Sequence, residues 1–337
     1  MSGQFDTKKK LLLIRDYLLR CSDENNPVSA NDIIEMLHKE GISCERKSVY
    51  SDIKILSDYG LDIITTKQGK GGYYIGSRDF ELVEVRLLID AVQSAGFITA
   101  NKSKKLIKKI GSLCSEAQMK RMNRNIYVDN RVKRNNERIF YTIDEIARAI
   151  DEDKQVFCEY KKCRDTAKLP NVNQNAKTMV INPYATVWAN NNYYLIGNND
   201  KYDNITQLRI DRIKSVQIIE KSKIKPFSMI RESAKYKDIA DYSKHTFNMF
   251  SGETADIELW CSVDILEQIL DKFGDDAPLR EDFEDSTHFY MHTTAEISDG
   301  LVSWLMQFSD SVKVIRPESL KEEIRKKADA ILSIYNE

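Results

Sequence analysis

Three of the chain's thirteen glycines fall within four residues, Gly69, Gly71 and Gly72, in the stretch GKGGYY at 69–74. Runs rich in β-branched and aromatic residues flank it: Ile63-Ile64-Thr65-Thr66 before, Tyr73-Tyr74-Ile75 after. Glycine adopts the left-handed backbone angles that let two strands reverse on each other, so a β-hairpin is expected here. A P-loop also crowds glycines around a lysine, but it needs GxxxxGK[ST] between a strand and a helix. Here a strand stands on each side.

The residues before the hairpin narrow the reading. Leu11, Ile14 and Leu18 recur at helical spacing within 7–20, with Leu12 and Leu19 widening the stripe. Ser29 stands as an N-cap with Asp32 in a capping-box position. Ile33, Ile34 and Leu37 then form the inner face of a second helix, which Gly41 stops. Ser43 is expected to cap a third helix whose inner face is Val49, Ile53 and Leu56. Its outward positions are Arg46, Lys47, Ser48, Tyr50, Ser51 and Lys54. Three short helices with a tight joint at Gly41-Ile42-Ser43 predict a helix-turn-helix, the third helix meeting base edges. The hairpin behind it is expected to be a wing, with Lys67 and Lys70 reaching the DNA backbone. The charges of this region are balanced, and a winged helix used for protein contacts is the alternative.

At 337 residues the chain exceeds one ordinary core, so two or three domains are expected. With 42% hydrophobic and 31% charged residues it reads as a soluble globular protein. No apolar run approaches the ~20 residues of a membrane helix, and MSGQFDTKKK has no apolar signal core, so a cytoplasmic location is expected. The six cysteines form no CxxC pair, which predicts reduced, mostly buried thiols. Cys158 and Cys163 are close enough for redox or metal chemistry, but none of the four histidines stands beside them. His288 and His292 have the i, i+4 spacing of a helical zinc pair, yet HFYMH is β-like. No metal, cofactor or catalytic activity is expected.

The formal net charge of -1 conceals an asymmetry. Residues 101–138 hold twelve Lys and Arg against three acids; residues 251–337 hold eight against twenty. A basic middle and an acidic end suggest a polyanionic partner for part of the chain, or else a solvated basic helix face. Residues 80–95, about 102–124 and 141–150 read as helices. From Gln155 the texture turns to β: VFCEY, Met179–Asn182, Ala185–Ala189, Tyr193–Gly197, Ile205–Ile210 and Ser215–Ile219 are short runs separated by turn signals. They predict a small barrel or sandwich, and their short lengths suit an SH3-like or Sm-like barrel.

The pattern ERKSVYSDIKILSDYGLDI followed by GKGGYYI resembles the winged helix at the head of bacterial WYL-domain regulators. INPYATVWANNNYYLIGNNDKYDNITQLRIDRI resembles the WYL domain itself, with Tyr193 in the place of the name-giving Trp and Leu208-Arg209-Ile210-Asp211-Arg212-Ile213 matching its second half. Gln207 stands where an aromatic is usual. Trp304-Leu305-Met306-Gln307-Phe308 and Val314-Ile315-Arg316-Pro317 are similar to the extension that follows WYL domains, with Ser309 where Gly is usual.

The resemblance implies a multidomain α+β chain. Its order would be a winged helix-turn-helix at 1–78, a helical, dimerising connector at 79–140, a WYL barrel at 141–225, a linker at 226–250 and an α/β sandwich at 251–337. It implies a homodimeric transcription regulator that binds a double-stranded operator and senses a nucleotide or single-stranded nucleic acid. Tyr160, Tyr184, Tyr193, Tyr194, Arg209 and Arg212 would hold that effector, arginine forks taking phosphate and tyrosines stacking bases. The alternative for these residues is structural, with Arg212 paired to a carboxylate and the tyrosines in the core. An accessory nucleic-acid-binding protein of a defence or repair system is the alternative for the whole.

Overall fold

Apolar residues at helical spacing build the first element, α1 (Ser2–Cys21), whose Ile14 and Leu18 are fully buried. The computed structural model describes residues 2–67, 71–124, 137–161, 176–189, 191–245 and 252–336. It divides into two units, 1–137 and 138–337.

In the first unit α1 packs with α2 (Ala30–Lys39) and α3 (Arg46–Asp58) around Ile33, Leu37, Val49, Ile53 and Leu56. The capping box at Ser29 forms in both directions: the Asp32 amide donates to Ser29 Oγ at 3.2 Å and the Ser29 amide to Asp32 Oδ2 at 2.8 Å. The third helix starts later than Ser43, with Glu45 as an N-cap that makes no side-chain cap bond. Ile42 turns into the core behind Gly41, whose φ is +77°, and the chain needs extended residues to travel from there to the start of α3.

The expected hairpin forms from β1 (Ile63–Thr66) and β2 (Gly72–Ile75), paired Ile63 to Ile75 and Thr66 to Gly72. Val28 and Tyr73 exchange two backbone hydrogen bonds of 2.8 Å, so the hairpin is also stitched to the loop before α2. Gly72 answers to this contact: a Cβ there would lie 2.5 Å from the Val28 carbonyl oxygen, and its φ is +149°. Gly69 and Lys70 lie outside the described residues.

Three more helices complete the unit: α4 (Leu82–Ser94), α5 (Ala100–Ile110) and α6 (Glu116–Arg124). The basic stretch expected as one helix breaks at a 3-10 turn, Gly111–Leu113. Ser115 then begins α6, its hydroxyl accepting from the Gln118 amide at 3.0 Å and also bonding the buried Asp23 carboxylate. A serine that caps a helix and bonds back across the fold ends one helix and starts the next.

The second unit holds two antiparallel sheets. After α7 (Ile139–Asp151) come β3 (Val156–Tyr160), β4 (Lys177–Ala189), β5 (Asn192–Asn199), β6 (Ile205–Arg209) and β7 (Ile213–Ile218), in the sheet order β6-β5-β4-β3-β7. The expected closed barrel is not what these ladders draw: the sheet has β6 and β7 as edges. The 3-10 turn Ile210–Arg212 between them redirects the chain, so that β7 pairs with β3 instead of β6. The two runs expected on either side of Pro183 are one strand, β4, with a register shift between Pro183 and Ala185 that accommodates the proline. Helix α7 packs against β4 and β7.

The stretch expected as a linker is folded along most of its length. Two 3-10 turns, Phe227–Met229 and Arg231–Lys235, lead to α8 (Ile239–His245). Ile230, Tyr236 and Tyr242 form one buried cluster with Tyr184, Ile196 and Ile205 of the sheet.

The second sheet is β8 (Glu253–Ser262), β9 (Leu279–Glu281), β10 (His288–Ile297) and β11 (Val312–Arg316), ordered β11-β8-β10-β9. Helices α9 (Leu266–Phe273), α10 (Asp299–Met306) and α11 (Glu318–Tyr335) bury Ile269, Leu301, Leu305 and Leu320 with Leu259, Cys261, Met291 and Val314 of that sheet. Strands and helices alternate along this stretch, as an α/β arrangement requires, except that the short β9 precedes β10 directly. Among the described residues no helix is long and apolar enough to cross a membrane.

Candidate nucleic-acid interface and effector cleft

In the first unit the outward row of α3 is set by an inward one. Val49, Ile53 and Leu56 enter the core, which leaves Arg46, Lys47, Tyr50, Ser51 and Lys54 exposed along the opposite side. The Arg46 guanidinium lies 5.8 Å from the centre of the Tyr50 ring, and Lys67, at the end of β1, is exposed. Ser48 departs from the expected row. Its hydroxyl accepts a 2.7 Å hydrogen bond from Lys10 Nζ, which also lies 2.7 Å from Asp52 Oδ2. This largely buried ion pair ties α1 to α3 and holds the exposed row in place. Sequence periodicity did not reveal it, because a lysine on a helix is ordinarily solvated.

The six residues expected to hold an effector do not converge. Register puts Tyr194 opposite Arg209 on β5 and β6, on the same face as Ile196. Tyr193 pairs with Trp188 and shares the other face with Leu195 and, through β4 and β3, with Tyr160. Tyr184 and Tyr194 are each 8% exposed. The Tyr184 hydroxyl donates to the Lys225 carbonyl at 2.8 Å, and burial pushes its phenol well above the usual range. Arg209, not Arg212, grips Asp211, with Nε 3.1 Å from Oδ1 and Nη2 3.3 Å from Oδ2. Arg212 is half-buried, and its carbonyl accepts from the Lys161 amide at 3.1 Å.

Only Tyr160 reaches the cavity that this domain does offer, a cleft of about 840 Å³ at the end of β3, β4 and β6. Lys177, Lys201, Tyr202, Asn204 and Thr206 line it with Tyr160, and no Asp or Glu stands among its described lining residues. One wall is the turn after β5, which buried Asn198 shapes by donating to the carbonyls of Tyr202 and Asn204, each at 2.8 Å. Asn182 in turn donates to Asn198 Oδ1 at 3.0 Å. Two lysines, two phenol rings and several neutral hydrogen-bonding groups form a surface suited to an anion bearing a flat ring. The signal in the sequence was the Asn-Asp-Lys-Tyr-Asp-Asn turn at 199–204, which reads as a loop unless Asn198 is known to be buried.

Burial pushes the Cys158 thiol up to about 12, which leaves it protonated and unreactive; Cys163 lies outside the described residues. His288 and His292 sit on one face of β10, but each has its own carboxylate. His288 Nδ1 is 2.7 Å from Asp285 and His292 Nε2 is 3.1 Å from Glu258. Among the described residues no cluster of three or more His, Cys, Asp or Glu is placed to hold a metal.

Comparison with known proteins places two domains. The family model described as the WYL domain matches residues 141–218, and that described as the WCX domain matches residues 253–332. Proteasome accessory factor B/C (PafBC) of Arthrobacter aurescens aligns with 98% of this chain at 15% identity and a TM-score of 0.27. The alignment covers 49% of PafBC, so the chain spans about half its length. A CRISPR Cas-related protein of known structure aligns with 74% of this chain and 70% of its own at 13% identity and a TM-score of 0.27. No curated protein matches. Residues 141–218 are thus a WYL domain, followed by a WCX domain at 253–332.

Proposed function

We propose that this chain is a sequence-specific regulator of transcription that binds duplex DNA through a winged helix-turn-helix at its start and senses an anionic, ring-bearing effector through its WYL domain. The observation that carries the reading is the exposed row Arg46, Lys47, Tyr50, Ser51 and Lys54 on α3, directly followed by a β-hairpin with exposed Lys67. A helix with donors and an aromatic on its free face, beside a hairpin, is suited to a major groove and the adjoining phosphates. The protein acts as a homodimer, which suits a palindromic operator, and it binds without catalysing.

The effector site is the cleft lined by Lys177, Lys201, Tyr160 and Tyr202, where a nucleotide or a single-stranded oligonucleotide finds both cations and stacking surfaces. Effector binding alters operator affinity only if it discriminates between two arrangements of the protein.

The test is fluorescence anisotropy of a labelled duplex from upstream of the chain's own gene, at physiological salt, with and without short single-stranded oligonucleotides. Specific binding that changes with the oligonucleotide supports the reading. Weak binding that salt erases, equal on any duplex, replaces it with an accessory nucleic-acid-binding protein.

A further inference from the structure

We propose that the crevice between α1, α5 and α6 is a second, independent ligand site, built for a small amphipathic anion with an apolar body and one anionic head, such as a medium-chain carboxylate. The cavity measures about 790 Å³, within the range of small-molecule pockets. Its floor is apolar: Leu19 of α1, Ile107 of α5 and Met119 of α6. Met119 lies over Gly111, where a Cβ would meet its sulfur at 2.9 Å, so a flexible thioether forms the adaptable part of the floor.

The rim carries the charge. Lys104 and Lys108 project from one side of α5 at i, i+4, flanking Ile107, and Lys120 stands across on α6. Two acids also border the crevice, Asp16 and Glu116, and each is matched by an arginine: Asp16 lies 3.3 Å from Arg15 and Glu116 3.6 Å from Arg20. The three lysines then stand beside two carboxylates that each have an arginine partner, an excess of positive charge around an apolar floor. A nucleotide fits poorly: among the described lining residues there is no aromatic ring, and no Asn or Gln to read a base edge. An aliphatic body with a single anionic head matches both parts.

The site also has leverage. Ile14 and Leu18 anchor α1 in the three-helix core, while Asp23, just beyond α1, bonds Ser115 and lies 3.6 Å from Arg121 of α6. A ligand in the crevice would brace α1 against α5 and α6.

The experiment uses the full chain. Anilinonaphthalenesulfonate fluorescence reports occupancy, and decanoate, decanol and decyltrimethylammonium compete. One dye per chain is expected, displaced by decanoate at about a tenfold lower concentration than by decanol, and hardly by the cation. Lys104→Glu with Lys108→Glu, at exposed positions, should weaken decanoate about tenfold while leaving the far-ultraviolet circular dichroism unchanged. Equal displacement by decanol, better displacement by the cation, or full decanoate affinity in the double variant overturns the proposal. So does the absence of both dye and decanoate binding by calorimetry. None of these readouts involves DNA, so the test stands apart from the operator experiment.

Discussion

Tyr236 donates its phenol hydrogen to the carboxylate of Glu296, a residue with no exposed surface. The other Glu296 oxygen accepts from the Gly252 amide at 3.1 Å. Tyr236 packs edge-to-face on Tyr242 with ring centres 5.0 Å apart, and the Tyr242 hydroxyl accepts from the Gln207 side chain on β6. A continuous polar and aromatic path therefore runs from the WYL sheet to strand β10 of the WCX domain. Gln207, where an aromatic is usual in similar sequences, is the WYL end of that path. Such a network resists piecemeal disruption because each buried group depends on its neighbour.

Tyr236→Phe removes one hydroxyl and leaves a buried carboxylate oxygen without its donor. The expected loss is about 1–3 kcal/mol of stability, read as a lower urea midpoint with an unchanged slope. An unaltered midpoint would mean that the contact contributes nothing to holding the unit together.

Burial raises the Glu296 carboxyl above the ordinary carboxylate value, outweighing the bonds from Tyr236 and Gly252. An acid whose folded pKa lies above its unfolded one binds its proton more tightly in the native state. Its stabilising effect is therefore full below the unfolded pKa of about 4.3 and declines as pH rises toward the folded value. Glu296→Gln does not titrate. Urea midpoints from about pH 4 to pH 8 should show the variant gaining on the parent chain as pH rises; a flat or shrinking difference sinks the assignment.

Lys10 and Asp52 are each nearly buried, with 11% and 8% of their side chains exposed. Asp52→Ala strands the Lys10 ammonium and should cost about 3–5 kcal/mol, whereas Lys10→Met with Asp52→Leu should cost much less. Thermal denaturation of the three chains decides it. Equal losses in the single and double variants would show that packing, not the uncompensated charge, is responsible.

Ser309 holds a φ of +52°, the left-handed region that glycine enters freely. Its place follows α10, where similar sequences carry glycine. Ser309→Gly should relieve the strain and raise stability by about 0.5–1 kcal/mol after the larger entropy loss of glycine is counted. A lower melting temperature would contradict this.

Arg46→Ala and Lys54→Ala should weaken operator binding, Arg46 by about 1–3 kcal/mol if it reads a base. Lys177→Ala and Lys201→Ala should leave operator affinity unchanged and abolish its response to the oligonucleotide. Anisotropy titrations separate the two pairs; loss of operator binding in a folded Lys177 or Lys201 variant would overturn the division of labour.

Much of the local architecture is legible in the sequence. The period of Val49, Ile53 and Leu56, the capping box at Ser29 and Asp32, and Gly71 and Gly72 ahead of Tyr73 each report a local preference that the fold obeys. The effector residues were less legible. Arg209 and Arg212 stand three apart in sequence, but Arg209 is occupied by Asp211, and strand alternation sends Tyr193 and Tyr194 to opposite faces. The cleft instead collects Tyr160, Lys177 and Tyr202 from separate strands and turns.

The sequence by itself determined that the first three helices and the hairpin form, and that a WYL domain precedes a WCX domain, because caps, periodicity and glycine angles are set by residues within a few positions. Only the tertiary structure decided that Lys10 would be buried on Asp52, that Gly72 serves the Val28 backbone, and that residues 226–245 would join two sheets through Tyr236 and Glu296. Those outcomes depend on desolvation and on which distant groups share a face, and a linear pattern carries neither quantity.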